Sequence, residues 1–303
     1  MGNPDFAIPS LRILLDSVFS IKGVVTATDK KGDRGRKKLI QSEIKKFAIA
    51  HHLQVLQPKN LKTPAFHEEL KKLRPDLFVV VAFRVLPIQV LDIPPLGTIN
   101  LHASLLPKYR GAAPINWAII NGESETGLTT FLIRKEIDTG SILFQEKIHI
   151  GPEETAGELH DRMMAQGAEL VLKTVKVLAS GDYPLKEQDH TKATMAPKIF
   201  HHMCEIDFNR PGQDIVNFVR GLSPHPGAWM KINGTITKVY SVRKTERVER
   251  SVNPGNWKTD NQTYLRISST DTWIEVYELK LAGSRRMDIR SFLNGHKIRE
   301  VGQ

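Results

Sequence analysis

The chain has a single cysteine, Cys204, so no internal disulfide can form and the fold must rest on packing alone. No apolar run approaches the roughly 18 to 20 residues that span a bilayer, and the N-terminus lacks the charged-then-apolar pattern of a signal peptide. A soluble, cytoplasmic protein with no membrane partner is therefore expected. Internal repeats and low-complexity stretches are missing too, which argues against large-scale disorder. His201, His202 and Cys204 lie close together, but no second ligand cluster with zinc spacing accompanies them, so no metal is expected.

What is present fits a globular protein. Hydrophobic residues make up 40% and charged residues 25% of the 303, enough to bury a sizeable core, and the length suits two domains of roughly 100 to 200 residues each. Lys and Arg outnumber Asp and Glu by 43 to 33, a net charge of +10. That surplus suits a polyanionic partner, or serves solubility alone; only the position of the charge can decide.

The first two-thirds alternate short β-branched runs with helical patterns, the mark of a parallel sheet covered by crossover helices. Strands are expected over Lys22 to Thr28, Leu53 to Gln57, Asp76 to Ala82, Thr98 to Leu101, Gly127 to Ile133 and Ile142 to Ile150. Apolar spacing predicts helices over Ile8 to Val18, Leu39 to His51 and Thr63 to Leu73, with a long one from Thr155 to Ala179 that Gly181 ends. The expected class is α/β, a doubly wound, mostly parallel, Rossmann-like sheet. Pro4 and Asp5 read as the opening of the first helix and leave almost no chain for a preceding strand, so the first strand is expected to be missing through truncation or a late start. From about Gly227, short alternating runs such as Ala228 to Ile232, Lys238 to Val242, Tyr264 to Ile267 and Thr272 to Leu279 predict a small antiparallel, OB-like β-barrel. The expected division is 1–188 for the α/β domain, 189–204 for a linker and 205–303 for the barrel.

The densest run of unusual residues is Gly97 to Gly111, GTINLHASLLPKYRG, which starts in a strand and ends in a loop. Open α/β sheets bind ligands at such carboxyl ends of strands. Side chains two apart on a strand point the same way, so Asn100 and His102 project together, and a paired amide and imidazole can grip one oxygen. A capping Asn beside a structural His is the blander reading; the pairing and the strand-end position argue against it. Asp138, in the turn-like Glu136 to Gly140, can reach the same crevice or can simply close an Asx turn. Val81 to Pro87 offers aromatic, apolar and hydrogen-bonding groups together, a slot for a flat ring or merely a buried strand with a Pro-terminated turn.

Asn100-x-His102, the Ser104 to Gly111 loop, the Gly111 to Ile115 helix start and the Asp138-Thr139-Gly140 turn follow one another in order. Together with Gly2 to Phe6, Arg285 to Met287 and Phe292 to Gly295, they resemble the methionyl-tRNA formyltransferase family over nearly the whole chain. The resemblance implies transfer of a formyl group from 10-formyltetrahydrofolate to the α-amino group of methionine on initiator tRNA, for translation initiation. It implies Asn100, His102 and Asp138 as catalytic residues. Folate contacts would come from Phe83, Arg84, Val85 and Leu86 and from Ser104, Leu105, Leu106 and Pro107. Several folate-dependent formyltransferases share the Asn-x-His pair with a distant Asp, so the motif speaks for the chemistry before the acceptor. In physical terms a neutral amine attacks the formyl carbon directly, since an α-amino group titrates near roughly 8 and needs little help to lose its proton. Asn100 and His102 would stabilise the oxyanion, while Asp138 orients His102 and assists proton transfer. Covalent catalysis is not expected: Cys204 lies elsewhere, and Ser104 has no matched base.

From Asp29 to Lys38 the chain reads DKKGDRGRKK, a charged, Gly-containing loop after a strand. The resemblance places it at the acceptor stem, with Lys30, Lys31, Arg34, Arg36, Lys37 and Lys38 as tRNA contacts. The family's usual prolines and Ala-Gly-Arg-Gly run are replaced here by Lys30 to Gly35, which keeps Arg34; a plain solvated charge run is the alternative. From Cys204 onward 16 Lys and Arg face 11 Asp and Glu, and Arg285 and Arg286 are counted as further tRNA contacts. A monomer is expected. Two rivals stand: a formyltransferase acting on a sugar nucleotide or small amine, which the basic loop disfavours, and an inactive nucleic-acid-binding relative, which the intact trio disfavours.

Overall fold

The computed structural model describes residues 1–31, 39–248 and 252–298. It divides into two compact units. The first comprises Met1–Gly111, Thr126–Ile148 and His160–Ala196; the second comprises Ala112–Glu125, His149–Leu159 and Pro197–Gln303.

The chain opens with a 3-10 turn, Asp5–Ala7, and α1 (Ile8–Leu15). The helix stops short of the expected Val18: the Ser17 hydroxyl bonds the Leu14 carbonyl, and Val18 is 93% exposed, so no core contact draws the helix onward. Strand β1 (Val24–Val25) and the hairpin of β2 (Lys30–Lys31) and β3 (Leu39–Ile40) follow. The expected helix over Leu39 to His51 is thus corrected to α2 (Glu43–Ala50): the Ser42 side chain caps the Lys45 N–H and sets the helix start, while Leu39 and Ile40 pair across the hairpin. Next come β4 (Val55–Leu56), α3 (Pro64–Lys72), β5 (Phe78–Val81), α4 (Ile88–Leu91), β6 (Thr98–His102) and β7 (Arg110–Gly111). After α5 (Pro114–Ile120) run β8 (Glu125–Leu132), β9 (Ile142–His149), the 25-residue α6 (Ala156–Ser180) and β10 (Met195–Ala196).

In the first unit β1 pairs parallel with β4, β5 parallel with β6, and β7 parallel with β10, while β8 joins β6 antiparallel and β9 extends that sheet. The run FVVV of β5 is buried almost throughout, as a parallel strand covered on both faces must be. At the start of the chain, Met1 and Gly2 run alongside β1 and β5. Gly2 donates to the Val25 carbonyl and bridges Val81 in parallel, and Val81 donates to the Met1 carbonyl. Beside them a cavity of about 310 Å³ is lined by apolar side chains including Leu14, Phe19, Leu70 and Phe78. Burial pushes the Met1 amine down to about 5. Gly167 of α6 lies so close to Leu101 that a Cβ would come within 2.7 Å of it. Leu101 therefore faces α6, and Asn100 and His102, one residue either side of it, face away.

In the second unit α7 (Gly212–Leu222) precedes β11 (Ala228–Ile232), β12 (Thr235–Arg247), β13 (Trp257–Thr259), β14 (Leu265–Ser268), β15 (Thr272–Leu281), β16 (Met287–Asp288) and α8 (Ile289–Gly295). The antiparallel sheet runs β11-β12-β15-β14-β13, with β16 on β15. Asn233 and Gly234, both at positive φ, turn the first hairpin as a two-residue loop with right-handed strand twist requires. Ile215, Leu222, Val239, Leu265, Ile274, Phe292 and Leu293 form its buried core. Neither α7 nor α8 is among the expected helices, although Ile215, Val219 and Leu222 of α7 recur at helical spacing.

Arg220, on α7, is buried; its Nε donates to Asn217 and its Nη1 to the carbonyls of Gly151 and Glu154. Arg220→Leu is expected to destabilise the fold by about 2 kcal/mol, because those acceptors lose a charged donor in a buried place. Urea denaturation measures it, and an unchanged midpoint would mean that water replaces the guanidinium without loss. Among the described residues no helix is long and apolar enough to cross a membrane.

Candidate active site

Asn100 and His102 stand near the carboxyl end of β6, which lies between β5 and β8. Asn100 is half-buried, and among the described residues its amide has no hydrogen-bond partner. His102 is buried, with Nε2 2.8 Å from the Tyr109 carbonyl oxygen. A carbonyl only accepts, so Nε2 carries the proton and Nδ1 is the free nitrogen. Asp138 Oδ2 lies 3.8 Å from that Nδ1, beyond hydrogen-bond reach. The same Oδ2 accepts the Gly111 N–H at 2.9 Å. Asp138 itself sits at φ +55°, the left-handed region where short polar residues are tolerated. The structure thus brings His102 and Asp138, 36 positions apart, into one site.

Two further residues at this site escape sequence reasoning. Gln188 donates through Nε2 to the carbonyls of Asp138 (2.9 Å) and Gly140 (2.8 Å), and its Oε1 accepts from Arg110 Nε (3.2 Å) and Nη2 (2.6 Å). Arg110 Nη2 also meets His190 Nδ1 at 3.0 Å. Gln188 and Arg110 are both buried. Arg110 falls inside the Ser104 to Gly111 motif and could have been singled out there. Gln188 has no local signal, because the antiparallel bridge between Lys186 and Ile142 is what brings it beside the turn.

The loops named for folate leave the carboxyl ends of two adjacent parallel strands. After β5, Phe83 is half-buried, Val85 exposed and Leu86 buried in the core beneath. Arg84 donates to the carbonyls of Pro58 and Lys59, and its guanidinium lies over the Phe83 ring. After β6, the buried Ser104 hydroxyl donates to the Lys108 carbonyl. The Leu106 N–H donates to Thr129, and its carbonyl accepts from Gln145. Leu106 is buried; Leu105 and Pro107 are half-buried. These bonds hold the loop in one shape, with Leu105 and Pro107 nearer its surface.

Of the residues named for tRNA, Lys30 is exposed on β2, which also contains Lys31. Arg34, Arg36, Lys37 and Lys38 lie outside the described residues. Arg285 is exposed, whereas Arg286 donates to the Glu278 carboxylate and stacks over Tyr240, leaving less of its charge for a partner. Among the described residues no group of three His, Cys, Asp or Glu is placed to hold a metal ion. His201 stacks on Trp229, and the buried Cys204 thiol donates to the Phe200 carbonyl.

Comparison with known proteins agrees with this architecture. Residues 2–175 match the formyl transferase family, and residues 198–297 match the formyl transferase C-terminal domain. The chain is 46% identical over 307 residues to a methionyl-tRNA formyltransferase of Parabacteroides distasonis, covering 98% of this chain and 94% of that protein. It is 45% identical over 306 residues to that of Azobacteroides pseudotrichonymphae, with the same coverage. A sugar 3N-formyl transferase crystallised in the presence of dTDP and 5-N-formyl-THF shares the fold, with a TM-score of 0.65 at 19% identity over 94% of this chain and 97% of that one. With both family domains matched and near full-length relatives at this identity, the chain belongs to the methionyl-tRNA formyltransferase family.

Proposed function

We propose that the protein transfers the formyl group of 10-formyltetrahydrofolate to the α-amino group of methionine on initiator tRNA, in the cytoplasm and as a monomer. The observation that carries this reading is the Asn100, His102 and Asp138 arrangement at the carboxyl end of β6, in a chain alike over 98% of its length to a protein named methionyl-tRNA formyltransferase. The folate would supply the activated formyl group. Phe83 and Val85, exposed in part after β5, suit the face of a flat ring, and Leu105 and Pro107 offer the same on the neighbouring loop.

The chain's own residues then have defined tasks. The unpaired Asn100 amide donates to the formyl oxygen as negative charge gathers there. His102 gives its Nε2 hydrogen bond to Tyr109, so it adds a second donor only once Nδ1 has taken a proton. Nδ1, with Asp138 beside it, would take up the proton that the attacking amine releases and pass it to the folate nitrogen as the bond from that nitrogen to the formyl carbon breaks. The domain over 205–303 and the basic loop at Lys30 to Lys38 would hold the tRNA through phosphate contacts.

The test offers purified protein 10-formyltetrahydrofolate with either methionyl initiator tRNA or a dTDP-amino sugar. Formylation of the tRNA and none of the sugar is expected; the reverse would make the protein a sugar formyltransferase with the same chemistry. Arg34→Ala should weaken tRNA use and lower the slope of log affinity against log salt by about 1, as loss of one phosphate contact does. An unchanged slope would remove Arg34 from the contact.

A further inference from the structure

We infer that Gln188, held by Arg110, is a positioning residue for the Asp138 carboxylate; this rests on the catalytic role proposed above for Asp138. Three consecutive residues, Tyr109 to Gly111, touch both halves of the site: the Tyr109 carbonyl accepts the His102 Nε2–H, and the Gly111 N–H donates to the Asp138 carboxylate. Arg110 lies between them and turns its buried guanidinium to Gln188. Burying a guanidinium is costly, and here its hydrogen bonds run to a side-chain amide and an imidazole nitrogen. Such a placement makes sense if the charge is spent on orienting Gln188.

The amide has only one possible orientation. Arginine donates and cannot accept, so Oε1 must face Arg110; carbonyls accept and cannot donate, so both Nε2 hydrogens go to Asp138 and Gly140. Gln188 therefore closes a ring of contacts: Arg110 to Gln188, Gln188 to the backbone of Asp138 and Gly140, Asp138 carboxylate to Gly111. The backbone of Asp138 stands at φ +55°, a conformation that needs outside support, and two of the flanking carbonyls are tied by this one side chain. With the backbone clamped and the carboxylate held by Gly111, Oδ2 stays beside His102 Nδ1.

Gln188→Glu is the discriminating variant. It keeps the size of the side chain and still accepts from Arg110, but its carboxylate cannot donate to either carbonyl. Turnover of methionyl-tRNA is expected to fall on the order of 10²-fold, as a displacement near 1 Å at a reacting group does, with KM for both substrates within about threefold of wild type. Arg110→Lys, which keeps the charge and loses the fork, should fall in the same direction and provides the test should the first variant not fold. In an Asp138→Asn background, Gln188→Glu should cost no more than about threefold further, because the group it positions is already gone. Losses that multiply in the double variant, a rise in KM with kcat unchanged, or full turnover in both single variants would overturn the positioning role. Full turnover in Asp138→Asn alone would instead overturn the catalytic role of Asp138.

Discussion

His102→Ala is expected to lower the turnover of methionyl-tRNA by on the order of 10² to 10³, the usual cost of removing a positioned proton acceptor. The loss should fall on kcat more than on KM, because the imidazole sits beneath the strand end and makes its contribution as charge develops. Truncation also strips the Tyr109 carbonyl of its donor and leaves Asp138 without the ring it faces, so a stability loss of about 1 to 3 kcal/mol is expected besides. Single-turnover formylation with the folded fraction followed by circular dichroism separates the two effects. Turnover within about twofold of wild type would remove the imidazole from the chemistry.

Gly140→Ala should be the most damaging change at the Asp138 turn. A Cβ at Gly140 would lie 1.6 Å from the Leu132 carbonyl oxygen and 2.8 Å from its carbon. Both atoms are backbone of β8, and Leu132 is in register with Ile99 on β6, so neither can move without disturbing the strand that carries His102. The Gly140 carbonyl is also one of the two that Gln188 holds. Overpacking against backbone of this kind costs about 3 kcal/mol, and the turn can relieve it only by shifting Asp138. A large fall in urea midpoint together with loss of formylation is the expected outcome, and a stable, active variant would show that the turn has room the structure denies it.

Much of this protein is written locally. The Val-rich runs at Val24 and Phe78, the β-branched alternation after Gly227 and the period of two that sets Asn100 and His102 on one face follow from backbone geometry within a few residues. Element edges were less legible where a cap outweighed an apolar period, as Ser42 does in starting α2 four residues after Leu39. The helix α8 stayed hidden because it is short and its apolar face makes sense only against the sheet it covers, whereas α7 carries Ile215, Val219 and Leu222 at helical spacing.

By itself the sequence determined the fold class, the strand-end pair of Asn100 and His102, and the family resemblance. Only the tertiary structure decided that His102 spends its Nε2 proton on Tyr109, that Asp138 approaches Nδ1 at 3.8 Å, and that Gln188 and Arg110 clamp the turn between them. Those contacts join residues from 7 to 78 positions apart. The longer ones arise from strand pairing and loop closure, and neither helical spacing nor strand alternation encodes which distant segments will meet.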